Sequence, residues 1–331
     1  MFWSLSESHW SLSVVETPMR VAQPLIIETT KILCHAALII NESFIISSMP
    51  FIYKFYAFIF LARSLSCSCS PEIRESGFEK AKKQYSVREI GRLPREVNES
   101  SGLVHNADGT LWTHNDSGGK SELYQVDATG NLLETKALNI PNVDWEEIAL
   151  GKENTLFVGD IGNNDQNRKD LCIYKIANNR TERIGFSYGV QTEFPPKSNF
   201  HEFDSEAFFW YKDKLFLFSK STLKSDRTVK MYELPDHGGQ YKIFAKDSIY
   251  LKTAVTAASV NPAGTEFALM TYGKLFIFGI ENEAINFKRP ISCLKISKKQ
   301  TEAITYINNT DLVLSNEQGQ LFLVEKKQKH D

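Results

Sequence analysis

"NVDWEEIALGKENTLFVGDIGNND", residues 142–165, sets two short apolar runs around a turn-forming "GKENT" and flanks them with acids and amides. Asp144, Trp145, Glu146 and Glu147 precede the first run, and Asp160, Asn163 and Asn164 follow the second. Two runs of strand length divided by turn residues read as a hairpin of buried strands. Such a hairpin brings the start of its first strand beside the end of its second. The polar groups of both ends therefore meet at one end.

The same pattern recurs along the chain. It stands as "SGLVHNADGTLWTHND" from Ser101, "EIALGKENTLFVGDIGN" from Glu147, "EAFFWYKDKLFLFSK" from Glu206, "TAASVNPAGTEFALMTY" from Thr256 and "EAITYINNTDLVLSNEQ" from Glu302, starts that lie 46 to 59 residues apart. A third apolar strand follows each hairpin ("ELYQVD", "LCIYKI", "VKMYEL", "KLFIFGI", "QLFLVEK"), and in most units a fourth, more polar one such as "LLETKAL" or "YKIFAKDSI". Repeats of this length with four strands each predict an all-β fold, a β-propeller of five blades, with six as the alternative. The fifth unit ends before a fourth strand. "YSVREIGRL", residues 85–93, is placed to supply it against residues 321–325, closing the ring and removing an exposed edge.

In this arrangement the entries to the first strands and the loops after the second strands share one face. That face collects Asp116, Asp160, His114, Asn115, Asn163, Lys220 and Tyr272, whereas the opposite turns hold ordinary turn residues. Glu147, Glu206 and Glu302 fall at equivalent strand starts in this alignment, and no Lys or Arg occupies those slots. Two carboxylates about 4 Å apart repel by roughly 4 kcal/mol at an effective dielectric near 20. A bound cation would relieve this. The expected donors, Ser101, Glu147, Glu206, Thr256 and Glu302, are all oxygens and suit Ca2+ rather than zinc or copper. The competing expectation is that each Glu caps backbone amides of a neighbouring blade.

The Ser, Glu, Glu, Thr, Glu order at the five strand starts is similar to that of the soluble calcium-activated nucleotidases, the apyrases, and the resemblance implies a five-bladed propeller with calcium in its channel. "LWTHNDSG", "VDWEEIALG", "LFVGDIGNN" and "DSEAFF" resemble the signature segments of a family of secreted bacterial propeller proteins. That second resemblance spans residues 99 to about 325 and implies the fold and an export route.

The N-terminus reads as an address. From Met49 a single Lys, an apolar stretch (residues 55–62) and small residues Ser64 and Ser66 before Cys67 follow signal-peptide grammar. Residues 1–48 then read as an upstream extension, 49–66 as the signal peptide, 67–84 as a linker and 85–327 as the propeller. A lipid on Cys67 is the one expected membrane attachment. Of the five cysteines (Cys34, Cys67, Cys69, Cys172, Cys293), Cys172 and Cys293 lie in apolar runs of different repeats and are expected as buried free thiols. No cysteine pair has zinc spacing. A net charge of -2, with the tail "EKKQKHD" as the only basic run, argues against a nucleic-acid binder.

Two functions of different class remain. One is a monomeric, secreted or envelope-localised binding module for a small polar or anionic ligand, or for an envelope protein or glycan, with calcium at the channel mouth. The other is a metal-dependent hydrolase of phosphoester or lactone substrates, in which Asp116, Asp160 or Glu146 activates water, with His114 as an alternative base. No GxSxG or other nucleophile motif is present, which favours the binding module.

Overall fold

The computed structural model describes residues 69–327 apart from 70, 82–83, 98, 179, 198–202, 222–226 and 297–300. The leader, the upstream extension, Cys34 and Cys67 lie outside the described residues. No described helix is long and apolar enough to cross a membrane.

A short helix α1 (Pro71–Glu75) leads into β1 (Glu79–Lys80) and β2 (Tyr85–Arg92). Blade 1 contributes β3 (Ser100–His105), β4 (Leu111–Asn115), β5 (Glu122–Val126) and β6 (Leu132–Ala137), and blade 2 contributes β7 (Trp145–Leu150), β8 (Leu156–Asp160), β9 (Cys172–Ala177) and β10 (Arg180–Tyr188). Blade 3 holds β11 (Ser205–Tyr211), β12 (Lys214–Ser219), β13 (Thr228–Pro235) and β15 (Asp247–Tyr250), while β14 (Gly239–Ile243), between β13 and β15 in the chain, joins the sheet of blade 2. Blade 4 holds β16 (Val255–Val260), β17 (Glu266–Thr271), β18 (Lys274–Gly279) and β19 (Pro290–Lys295), and blade 5 holds β20 (Thr301–Tyr306), β21 (Leu312–Asn316) and β22 (Gln320–Lys326).

These strands form five sheets. The innermost strands close a ring in which β3 packs on β7, β7 on β11, β11 on β16, β16 on β20, and β20 back on β3. The fold is a five-bladed β-propeller. Each blade buries both faces against its neighbours, which is why the first three strands of each repeat are almost continuously apolar. Between blades 3 and 4 the rings of Phe209, Phe218, Phe267 and Phe278 stack with centroids 4.8 to 6.1 Å apart. Each such side chain contributes about 1.5–3 kcal/mol on burial.

Closure follows the expectation. β2 pairs antiparallel with β22, with Val87 opposite Val324, and becomes the outer strand of blade 5. The N-terminal segment also goes further than predicted, because β1 pairs parallel to β19 and adds a fifth strand to blade 4. A disulfide between Cys69 and Cys293, in β19, fastens that segment, so the expected free thiol at Cys293 is corrected. Cys172 is a buried free thiol. A second correction concerns "YKIFAKDSI", which is not one fourth strand. Its first part lies in β14, parallel to β10 on the edge of blade 2, and only its end, β15, completes blade 3.

Candidate functional site

Every inner strand begins with a β-bulge. The register of its pairing with the second strand shifts between Ser100 and Gly102, Trp145 and Glu147, Ser205 and Ala207, Val255 and Ala257, and Thr301 and Ala303. The extra residues are Ser101, Glu146, Glu206, Thr256 and Glu302. A bulge re-aims the side chain of its extra residue, and the five bulges place this ring at one end of the channel. Glu146, not Glu147, is thus the blade 2 counterpart of Glu206 and Glu302. The sequence register was one residue out in that blade.

Glu147 lies one level deeper, where the other blades have Gly102, Ala207, Ala257 and Ala303. It is fully buried. Its Oε1 accepts the Ile148 N–H and its Oε2 the Ala258 N–H, both at 3.1 Å, so it ties blade 2 to blade 4. Innermost strands leave one edge of N–H groups unpaired towards the channel, and this carboxylate satisfies part of that edge. Burial raises its pKa well above the ordinary glutamate value, with the Ala258, Ile148 and Leu103 amides opposing. Glu147 is a structural hub and not a member of the mouth.

The mouth is a cavity of about 460 Å³ lined by Glu99, Asp116, Glu146, Glu206, Glu302 and Glu317, with Ser101, Lys220 and Tyr272 among its polar neighbours. The hydroxyls of Ser101 and Thr256 donate to the carbonyls of Glu146 and Thr301 in the next blade, each at 2.9 Å. Lys220, expected on this face although not at a strand start, comes from the loop after β12, pairs with Glu206, lies 3.8 Å from Asp204 and donates to Asn164 Oδ1 at 3.0 Å. Glu206 Oε2 remains buried and without a hydrogen-bond partner among the described residues.

Asp116, Asp144 and Glu146 each bring a carboxylate oxygen within 4.8 Å of the other two. Asp116 comes from the loop after β4, Asp144 from the entry to β7, and Glu146 from the bulge. Gly162 leaves the room they need: a Cβ there would stand 2.3 Å from Asp144 Oδ2 and from Glu146 Oε1. Burial first, then the charges of Glu206, Asp116 and Asp144, pushes Glu146 well above its usual pKa. Burial also raises Asp116 and Asp144, brings Glu302 up to about 7 with help from Glu317, and takes Glu206 up to about 8 against the pull of Lys220. Lys220 itself is raised, because Glu206 and Asp204 outweigh the burial that disfavours its charge. Among the described lining residues one ammonium, Lys220, faces six carboxyls, and those whose pKa is raised are held towards their protonated forms.

Besides Glu147, the expected site residues His114, Asp160 and Asn163 do not reach the mouth. His114 is fully buried at the junction of blades 1 and 2, edge-on to Trp145 at 5.7 Å, with Nδ1 3.0 Å from its neighbour's carbonyl. Burial lowers its pKa to about 4. Gly102 lets it fit, since a Cβ there would be 2.5 Å from His114 Nε2. Asp160 is locked by Arg168 at 2.8 Å and accepts the Asp144 N–H at 3.0 Å, which fixes the loop that presents Asp144. Asn163 is likewise structural, binding Asp204 and Phe203 of the next blade entry. Asp144, Glu99 and Glu317 were missed as site residues. Their signal was position, since all three stand in the entry or second-loop slots that converge on this face.

The molecule defined by this fold and site is a propeller with an acid-lined channel mouth. Similar solved structures are propeller proteins: virginiamycin B lyase from Staphylococcus aureus (13% identity over 69% of this chain and 66% of that one, TM-score 0.38), a streptogramin B lyase (10% over 75% and 100%, TM-score 0.41) and the PQQ-bound aldose sugar dehydrogenase from Streptomyces coelicolor (10% over 74% and 99%, TM-score 0.44). The chain spans just under two thirds of the staphylococcal lyase's length. No protein-family model and no curated protein matches the chain.

Proposed function

We propose that this propeller is an exported binding module whose channel mouth takes up a divalent cation, calcium by its donor chemistry, at Asp116, Asp144 and Glu146, and through it a small polar or anionic ligand at the cell envelope. The observation that carries the reading is the approach of three carboxylate oxygens to within 4.8 Å of one another. Glu206 Oε2, which has no hydrogen-bond partner among the described residues and stands beside Glu146, supports it independently. Hard oxygen donors of this kind suit calcium or magnesium, and an irregular set drawn from one loop, one strand entry and one bulge suits the less demanding geometry of calcium. The Cys69–Cys293 disulfide is the kind of bond that persists in oxidising compartments and supports export.

The alternative, a calcium-dependent hydrolase of phosphoesters or lactones, draws on Glu302, whose pKa near 7 lets a carboxyl exchange protons at neutral pH. Calorimetric titration of the purified, chelator-treated protein with Ca2+ tests the shared premise, with Asp144→Asn and Glu146→Gln expected to abolish binding. Absence of wild-type binding would overturn both readings. A panel of phosphoesters and lactones assayed with and without Ca2+ separates them, because turnover lost in Glu146→Gln selects the hydrolase.

A further inference from the structure

The channel has a second end. A cavity of about 660 Å³ opens on the opposite face, walled by the C-terminal parts of the five innermost strands and the turns that leave them. The Glu147 bridge between Ile148 and Ala258 lies between it and the acidic mouth, and both of those residues line it. Its chemistry is the reverse of the mouth's. Leu103, Ile148 and Phe208 wall its inner part, and small residues such as Ala149 and Ala258 open the volume.

Most polar groups around it are satisfied within the protein, the exception being the buried Tyr306 hydroxyl, which has no hydrogen-bond partner among the described residues. Thr305 Oγ1 accepts the His105 N–H at 3.2 Å, and Ser259 Oγ accepts the Tyr306 N–H at 3.1 Å. Trp210 Nε1 donates to Asp236 at 2.8 Å, and the Tyr211 hydroxyl to Gly264 O at 3.4 Å. The charged rim residues Lys212 and Glu283 pair with each other. Burial disfavours the charged form of His105 and lowers its pKa, with Asp108 opposing. Bringing a charge into such walls would cost its hydration without a partner in return, whereas an apolar molecule gains by leaving water. The volume lies within the 300–1,000 Å³ usual for small-molecule sites.

We infer that the opposite end of the channel is a separate binding site for an uncharged, largely apolar small molecule, independent of the cation at the mouth. The two faces of one channel thus carry opposite chemistries, kept apart by Glu147.

N-phenyl-1-naphthylamine, an uncharged apolar fluorophore, tests this with the full chain. Its emission should rise saturably, with one molecule bound per chain and energy transfer from tryptophan. Ala258→Leu, which fills the inner part, should weaken binding at least tenfold. Because that position is buried, the exposed rim variant Ala263→Trp provides a second test in a background that keeps the core intact, and it should weaken binding as well. Glu206→Gln at the mouth should leave binding unaltered. Emission that never saturates, or an unchanged affinity in folded Ala258→Leu and Ala263→Trp proteins, overturns the inference. Loss of binding in Glu206→Gln would place the probe at the mouth and overturn it too.

Discussion

Glu147 Oε2 accepts the backbone N–H of Ala258 at 3.1 Å across the channel, from the innermost strand of blade 2 to that of blade 4. A propeller closes as a ring of neighbours, so a direct tie between non-adjacent blades holds the channel at one width. Removing it leaves two buried amides without acceptors, each costing about 1–3 kcal/mol. Glu147→Ala should therefore lower unfolding stability in urea by about 2–5 kcal/mol, and Glu147→Gln, which turns a donor towards one of the amides, by about 1–3 kcal/mol. Calcium affinity in the folded Gln variant should stay within a factor of two of wild type. A neutral Glu147→Ala would show that the tie is dispensable.

That residue also shows what the sequence could and could not disclose. The hairpins, their number and the closing strand followed from periodicity, because apolar runs of two-strand length repeat whatever their loops contain. The bulge did not, because one extra residue inside a strand leaves no compositional mark. Blade 2 carries two consecutive glutamates where the shift occurs, so choosing Glu147 over Glu146 placed the acid at the wrong level. Asp144 was passed over because it precedes the strand, and only the Asp160–Arg168 lock shows how its loop is held against the mouth. The Cys69–Cys293 pairing spans 224 residues and joins the segment read as a linker to the fourth repeat, a proximity that repeat spacing does not encode.

Lys220 is the one ammonium among the described lining residues of the mouth, and it neutralises Glu206. Truncating one member of a buried pair strands the other charge at a cost of about 3–5 kcal/mol. Lys220→Met should lose stability of that order in calcium-free buffer and recover a larger share of it on adding Ca2+ than wild type gains. Thermal melts with chelator and with millimolar Ca2+ check this. An equal calcium response in both proteins would mean that Glu206 does not feel the cation.

The N-terminal clasp gives a third expectation. Cys69 anchors α1 and β1 on the outer edge of blade 4, and the same segment continues into β2 on blade 5. Breaking a native disulfide typically costs about 2–5 kcal/mol. Cys293→Ser should show that loss together with faster amide exchange at residues 79–80. Deleting residues 69–95 should instead give aggregated protein, since blade 5 then lacks its outer strand. A soluble, cooperatively unfolding deletion variant would mean that the ring closes without β2.

The mouth acids make stability depend on pH in a direction that calcium should reverse. In the folded protein Glu302 titrates at about 7 and Glu206 at about 8, both raised first by burial, against an unfolded value of about 4.3. A carboxyl whose folded pKa is raised stabilises the fold while protonated. Its contribution is complete below the unfolded value and is lost as pH rises through the folded one. Calcium-free protein should therefore lose melting temperature progressively between about pH 4.3 and 8, the window bounded by those pKa values. A cation favours the ionised forms, so Ca2+ should bind more tightly as pH rises, displace protons measurably in weakly buffered solution, and flatten the fall in melting temperature. Glu302→Gln should remove part of the slope without calcium, whereas Asp213→Asn on the opposite face should leave it unchanged. If the calcium-free melting temperature is flat or rises over that window, the acids at the mouth are already ionised and compensated, and the electrostatic case for a cation there fails.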